Sequence, residues 1–234
     1  MMITSHHNEQ LKEIRKLNQR RRWRERSGRF VAEGEDLLAA ADAAGWQPVQ
    51  RFCAAGSGLP GIEVEPRVLA SASELGSGTR ALAVYEERWA AGPVGPLCVY
   101  LHGVHDPGNV GTILRSADAF GAASVAIGAG TADPFGPKAV RASMGAVFSV
   151  PLAQVTDAAE LPGPTVALVA GRGLRLDQLS LTAVTLLIGS ERDGLPDEVV
   201  RAADHVAQIP IANHSLNAAM AATVALYEAS RMPR

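Results

Sequence analysis

The sequence predicts an α/β protein in two parts, a small N-terminal α/β unit and a larger C-terminal α/β domain built on a parallel sheet. Three observations carry that prediction. Through the second part, apolar runs alternate with helix-periodic segments, the pattern of strands joined by crossover helices. Those runs, of which 97–101 (LCVYL) is typical, are continuously apolar, as expected of strands buried on both faces of a sheet. Between the parts, residues 89–96 (WAAGPVGP) break the periodicity with small residues, glycines and prolines. That composition marks a linker between residues 1–88 and 97–234.

Taken in order, Leu11, Ile14 and Leu17 fall at helical spacing, 30–33 reads as a strand, and 35–44 reads as a helix ended by Gly45. Short apolar segments at 49–54 and 81–85 complete the small unit. Beyond the linker, the strand 97–101 leads through a turn into a helix over 109–120, then a strand at 124–127 and a helix near 137–143. Strands follow at 165–170 and 184–188, a helix around 197–203, a strand at 205–209, and an Ala-rich helix over about 215–231.

The chain has 234 residues, 47% hydrophobic and 20% charged, with a net charge of −2. This excludes a disordered or collagen-like chain and a globally basic coat protein. The near-neutral sum hides an asymmetry, because residues 11–30 (LKEIRKLNQRRRWRERSGRF) hold nine Lys/Arg and two acids. That segment is +7, so the rest of the chain is −9: an acidic body with one basic arm. Cys53 and Cys98 lie far apart in apolar runs, as expected of buried free thiols in a reduced cytoplasmic protein. No apolar run approaches the ~20 residues of a membrane span, and the N-terminus lacks a signal-peptide core.

Parallel α/β domains place ligands at the carboxyl ends of their strands, so the chemistry is sought in the following loops. After 97–101 comes HGVHDPGNVGTILRSADAFG, with Asn109 near the helix start and Arg115 on its second turn. After 184–188 comes GSERDGLP, carrying Glu191. After 205–209 comes PIANHSLNAAMAATVALYEASR, with Ser215 and Asn217 opening the last helix. Each residue also has an ordinary reading: helix caps for Asn109 and Ser215, a surface ion pair for Arg115, a turn for Glu191. Together they put an amide, a guanidinium, a carboxylate and a hydroxyl at one sheet edge, as a polar site requires. There is no GxGxxG, GxxxxGK[ST] or GxSxG motif, which argues against a dehydrogenase, a P-loop NTPase and an α/β-hydrolase. His102, His105 and Asp106 have no recognised metal spacing, so no metal is expected.

The segments HDPGNVGTILRSADAFGA, IGSERDGL and IPIANHSLNAAMAATVALYE resemble, in order, the three motifs of the SpoU/TrmH family of RNA ribose 2′-O-methyltransferases of the SPOUT class. The N-terminal part is similar to that family's ribosomal-protein-like RNA-binding domain, with a basic helix, an Arg-rich turn and a Phe-x-x-Glu-Gly strand end. The resemblance implies a trefoil-knotted C-terminal domain, S-adenosylmethionine as methyl donor, a cytoplasmic homodimer that completes the site, and structured RNA as partner. It assigns Asn109, Arg115, Glu191, Ser215 and Asn217 to catalysis, and Gly189, Ile209 and Leu216 to donor contacts made largely through backbone. Two departures stand out. Arg192 follows Glu191 where the family has glycine, and only Ala212, Asn213 and His214 separate Ile211 from Ser215.

A ribose hydroxyl is a weak nucleophile, so alignment with the donor methyl is the main task. A guanidinium is nearly always protonated, which suits Arg115 to stabilising a developing alkoxide and holding a phosphate. In the arm, Arg20, Arg21, Arg22 and Arg24 pair with RNA phosphates in this reading, while Trp23 either stacks on an unpaired base or packs into its domain. The expected substrate is large-subunit ribosomal RNA, the alternatives being a tRNA ribose or a silent RNA-binding protein of the same fold.

Overall fold

The computed structural model describes residues 2–74, 78–212 and 216–231. The N-terminal unit runs α1 (Glu9–Gln19), α2 (Arg21–Ser27), β1 (Arg29–Glu33), α3 (Glu35–Ala43), β2 (Gln50–Ala54), β3 (Ile62–Val64), α4 (Pro66–Ala70) and β4 (Ala81–Glu86). Its four strands lie in the order β1-β4-β2-β3, antiparallel except for β2 with β3. Asn8 caps α1 by accepting from the amides of Gln10 and Leu11, and α1 buries Leu11, Ile14 and Leu17 completely. The Arg-rich stretch expected as a turn is instead a second helix. The chain breaks at Arg20, whose backbone is extended, and re-enters helix as α2 until Gly28 ends it in the left-handed conformation.

The C-terminal part runs β5 (Leu97–Leu101), α5 (Pro107–Ala119), β6 (Ser124–Ile127), α6 (Pro137–Ser143), α7 (Ala146–Ser149), β7 (Leu152–Gln154), β8 (Thr165–Leu168), β9 (Leu174–Arg175), β10 (Val184–Ile188), α8 (Asp197–Ala202), β11 (His205–Gln208) and α9 (Ala218–Ser230). Seven strands form an all-parallel sheet in the order β7-β6-β5-β10-β8-β11-β9. β5 and β10 lie side by side at its centre, Leu97 opposite Val184 and Leu101 opposite Ile188, with every residue of both strands buried. Helix α5 starts with Asp106 as its cap and Pro107 in its first turn, and buries Val110, Ile113, Leu114 and Ala117. The cap is thus Asp106 and not Asn109, which leaves the Asn109 side chain free for other partners. Likewise Asn217 caps α9, accepting from the amides of Ala219 and Met220; Ser215 lies outside the described residues.

The two sheets share a core. Phe30, Trp46 and Tyr85 from the N-terminal unit interleave with Phe135 and Phe148 from the other, ring centroids 4.8 to 5.9 Å apart across Phe30–Phe135, Phe30–Phe148, Trp46–Phe148 and Tyr85–Phe148. The Trp46 indole N–H donates to the Phe148 carbonyl at 2.8 Å. Residues 89–96 form no helix or strand but are held in place: Trp89 stacks edge-on to Phe135, the Ala90 amide donates to the Leu152 carbonyl, and the backbone of Val94 bonds the Ser124 hydroxyl. No helix among the described residues is long and apolar enough to cross a membrane.

Candidate active site at the carboxyl edge of the parallel sheet

Strand order dictates where the loops meet. β10, β8 and β11 are successive neighbours, so the segments leaving them converge, and α5 begins beside them at the end of β5. Asn109 stands on the first turn of α5, Glu191 on the segment after β10, and Asn217 at the start of α9. The Asn109 amide N–H donates to the Glu191 carboxylate. The Asn217 amide N–H donates to the Asn109 side-chain oxygen at 3.2 Å, while the Asn217 oxygen holds the α9 amides. Three elements far apart in sequence are thereby joined in one hydrogen-bonded line, each amide oriented by the next. Ionised Glu191 can only accept, which fixes the Asn109 N–H toward it and leaves the Asn109 oxygen facing Asn217.

Beside this line lies a cleft of about 480 Å³, in the size range of small-molecule sites. Its apolar wall includes Leu168, Ile188, Leu195, Ile209 and Leu216, and its mouth carries Glu191, Arg192, Asp193 and Asp197. Gly189, Ile209 and Leu216, expected on the donor side, all line it. Gly189 has a second reason to be glycine: a Cβ there would collide with the backbone of Gly194 and Leu195, where the segment doubles back through a Ser190–Gly194 bridge. The segment after β8, through Val169, Ala170 and Arg172, also lines the cleft and was not singled out from the sequence. The strand itself was legible there; its carboxyl end carries mostly apolar residues, so a search for polar side chains passes over it.

Arg115 is exposed and has no hydrogen-bond or ion-pair partner among the described residues. It lies six residues beyond Asn109, roughly 9 Å along the helix at 1.5 Å per residue, and is not part of the line. In the arm, Arg20 and Arg22 are exposed and unpaired among the described residues, and Arg21 pairs with Glu25 on its own helix at 2.9 Å. Arg24 requires a correction. It is buried and donates to Asp133 of the other domain at 2.8 Å and to the Leu17 carbonyl, so its guanidinium is committed to partners within the protein and is not part of an exposed basic face. Its neighbours' charge made it look like part of a basic face, but it points inward from α2. Trp23 packs against the smaller core, with Lys16 and Arg26 over its ring at 4.6 and 5.6 Å from the centroid. Among the described residues no group of three His, Cys, Asp or Glu side chains is placed to hold a metal.

The structure thus sets a cleft at the carboxyl edge of a parallel α/β domain, preceded by a small α/β unit whose helix α2 carries exposed arginines. The chain belongs to the SpoU rRNA Methylase family, whose model matches residues 96–227; residues 8–87 match the MRM3-like substrate binding domain. It is 40% identical to a 23S rRNA (uridine(2479)-2′-O)-methyltransferase of Streptomyces viridochromogenes, over 53% of this chain and 49% of that protein. It is 32% identical to an uncharacterised tRNA/rRNA methyltransferase of Synechocystis sp., over 98% of this chain and 93% of that one. An AdoMet-bound rRNA methyltransferase from Sinorhizobium meliloti superposes with a TM-score of 0.86 at 31% identity, covering 99% of this chain and 97% of that chain.

Proposed function

We propose that this protein transfers a methyl group from S-adenosylmethionine to a ribose 2′-hydroxyl of RNA, with large-subunit ribosomal RNA as substrate. The observation that carries this reading is the hydrogen-bonded line Glu191, Asn109, Asn217 at the rim of the cleft, in a chain of this family. The cleft fits the donor chemically: an apolar wall for the adenine, and the exposed Asp193 and Asp197 to attract the sulfonium and the ammonium of the methionine portion. Gly189, Ile209 and Leu216 would hold it. When bound, the donor supplies a methyl group activated by its sulfonium.

The chain's own residues do the rest. Asn109, fixed from both sides, orients polar groups at the reacting edge, and its preset direction spares reorganisation during the reaction. Glu191 anchors that line, and the family motif assigns Ser215 to catalysis as well. Arg115, unpaired among the described residues, is suited to an RNA phosphate and to the developing alkoxide. A homodimer completes the site: Met220, Val224 and Tyr227 form a largely exposed apolar stripe on α9 at helical spacing, which a second copy would cover. Arg20, Arg21 and Arg22 capture RNA ahead of the catalytic domain. The buried free thiols Cys53 and Cys98 suit the cytoplasm.

Mapping 2′-O-methylated positions in ribosomal and transfer RNA from cells with and without the gene tests the proposal. Loss of one ribosomal position is expected. Loss confined to tRNA would move the substrate, and an unchanged map together with no donor binding by calorimetry would favour a silent RNA-binding protein.

A further inference from the structure

A second cleft, of about 350 Å³, opens between α2 and the catalytic domain. Its walls bring Arg21 from the N-terminal unit against His105 and Lys138 from the other. The two walls are fixed relative to each other by the buried Arg24–Asp133 pair, whose side chains are 7% and 14% exposed; both residues line the cleft. The cleft is therefore preformed and does not depend on closure of a hinge.

Its cations are held loosely. Lys138 reaches across the start of α5 to Asp106 at 2.8 Å, and Arg21 pairs with Glu25, but all four side chains are about half exposed. Exposed pairs of this kind contribute about 0–1 kcal/mol, so either cation can exchange its carboxylate for a phosphate at little cost. Gly130, whose φ of +72° favours glycine, lines the cleft beside His105. Pro107, two residues before Asn109, lines the cleft, and Arg20 and Arg22, unpaired among the described residues, adjoin Arg21 in sequence.

We propose that this interdomain cleft binds a phosphodiester of the RNA strand that carries the target ribose, with Arg21 and Lys138 pairing its oxygens and His105 as a further hydrogen-bond partner. The inference rests on the RNA methyltransferase reading. It makes Lys138 and His105 substrate-positioning residues of the catalytic domain, where the sequence pointed to the arm and to Arg115.

The test uses the full-length protein and 23S ribosomal RNA transcribed in vitro. RNA affinity is measured against potassium chloride for wild type, Arg21→Gln, Lys138→Gln, the double variant, Lys138→Arg, and Arg67→Gln as a charge control on α4. Each phosphate contact contributes a slope of about 0.7–0.9 in log affinity against log salt. The double variant is expected to lose roughly 0.7–0.9 from that slope, the share of one phosphate, and on the order of tenfold in affinity. Lys138→Arg should restore its share, and donor affinity should be unchanged throughout. A double variant indistinguishable from Arg67→Gln would overturn the proposal. Failure of the wild type to methylate RNA would instead sink the underlying reading, whatever the salt slopes show.

Discussion

Asn109 sits between a carboxylate and an amide, and that position makes it sensitive to substitution. Asn109→Ala removes the group that joins Glu191 to Asn217 and is expected to lower kcat by about 10²-fold, the usual scale for losing one oriented group at a reacting centre. Circular dichroism and donor affinity should stay near wild type, since the side chain caps no helix; steady-state methyl transfer on ribosomal RNA reads the effect. Glu87 gives a prediction of another kind. Burial pushes its carboxyl up, and Asp133 adds to the effect, while the Trp89 indole N–H and Arg24 pull it down. Its folded value lies above the unfolded ~4.3, so between the two values the folded chain holds more protons, and stability falls as pH rises through that interval. Glu87→Gln should therefore raise the urea midpoint at neutral pH and remove this dependence, while matching wild type below the interval. A midpoint lower than wild type at neutral pH would contradict it. At this scale the sequence was informative where motif order carried the residue, as for Asn109, Glu191 and Asn217. It failed for Arg24, because the partner that buries it, Asp133, lies over a hundred residues away in the other domain.

At the scale of elements, two contacts decide stability. Helices α5 and α6 cross at Gly111, where a Cβ would collide with the Ala139 carbonyl oxygen and stand 2.7 Å from the Ala142 Cβ. Gly→Ala in a helix interior ordinarily gains about 0.5–1 kcal/mol. Here overpacking at about 1–3 kcal/mol outweighs that gain, so Gly111→Ala is expected to destabilise, as thermal unfolding would show. Helix α2 is pinned by the Arg24–Asp133 pair. Removing one partner of a buried pair costs about 3–5 kcal/mol, so Arg24→Met alone should be severe and Arg24→Met with Asp133→Leu much milder. Equal losses for the two would show that the carbonyl contacts of Arg24 dominate. The long buried strands and the helices α1, α3, α5 and α9 were legible, because apolar periodicity and caps mark them. The short elements β3, β7, β9, α4 and α7 were not: two to five residues carry too little periodicity, and their backbone is fixed by neighbours. The Arg-rich stretch read as a turn for a related reason. Its helix α2 is stabilised by Arg24 and Trp23 packing inward, which composition alone does not reveal.

Over the whole molecule, the two units act as one body. The sequence marked 89–96 as a break, and no strand or helix crosses it, yet the aromatic groups Phe30, Trp46, Tyr85, Phe135 and Phe148 form a continuous core across it. Such a cluster is invisible in sequence because its members are distributed over both parts and pair only in the folded chain. Phe148→Ala should cost about 3–5 kcal/mol and lower a single shared unfolding transition; separate melting of the two units would contradict this. Rigid docking also holds the exposed Arg20, Arg21 and Arg22 at a fixed place relative to Asn109, as the proposed capture of RNA by the arm requires. The most direct test of the central claim is transfer of a labelled methyl group from S-adenosylmethionine to 23S ribosomal RNA by the purified protein, followed by nuclease digestion to locate the label. The account predicts a single 2′-O-methylated nucleotide, formed by wild type and about 10²-fold more slowly by Asn109→Ala. Label on a base, or equal rates for the two proteins, would contradict it.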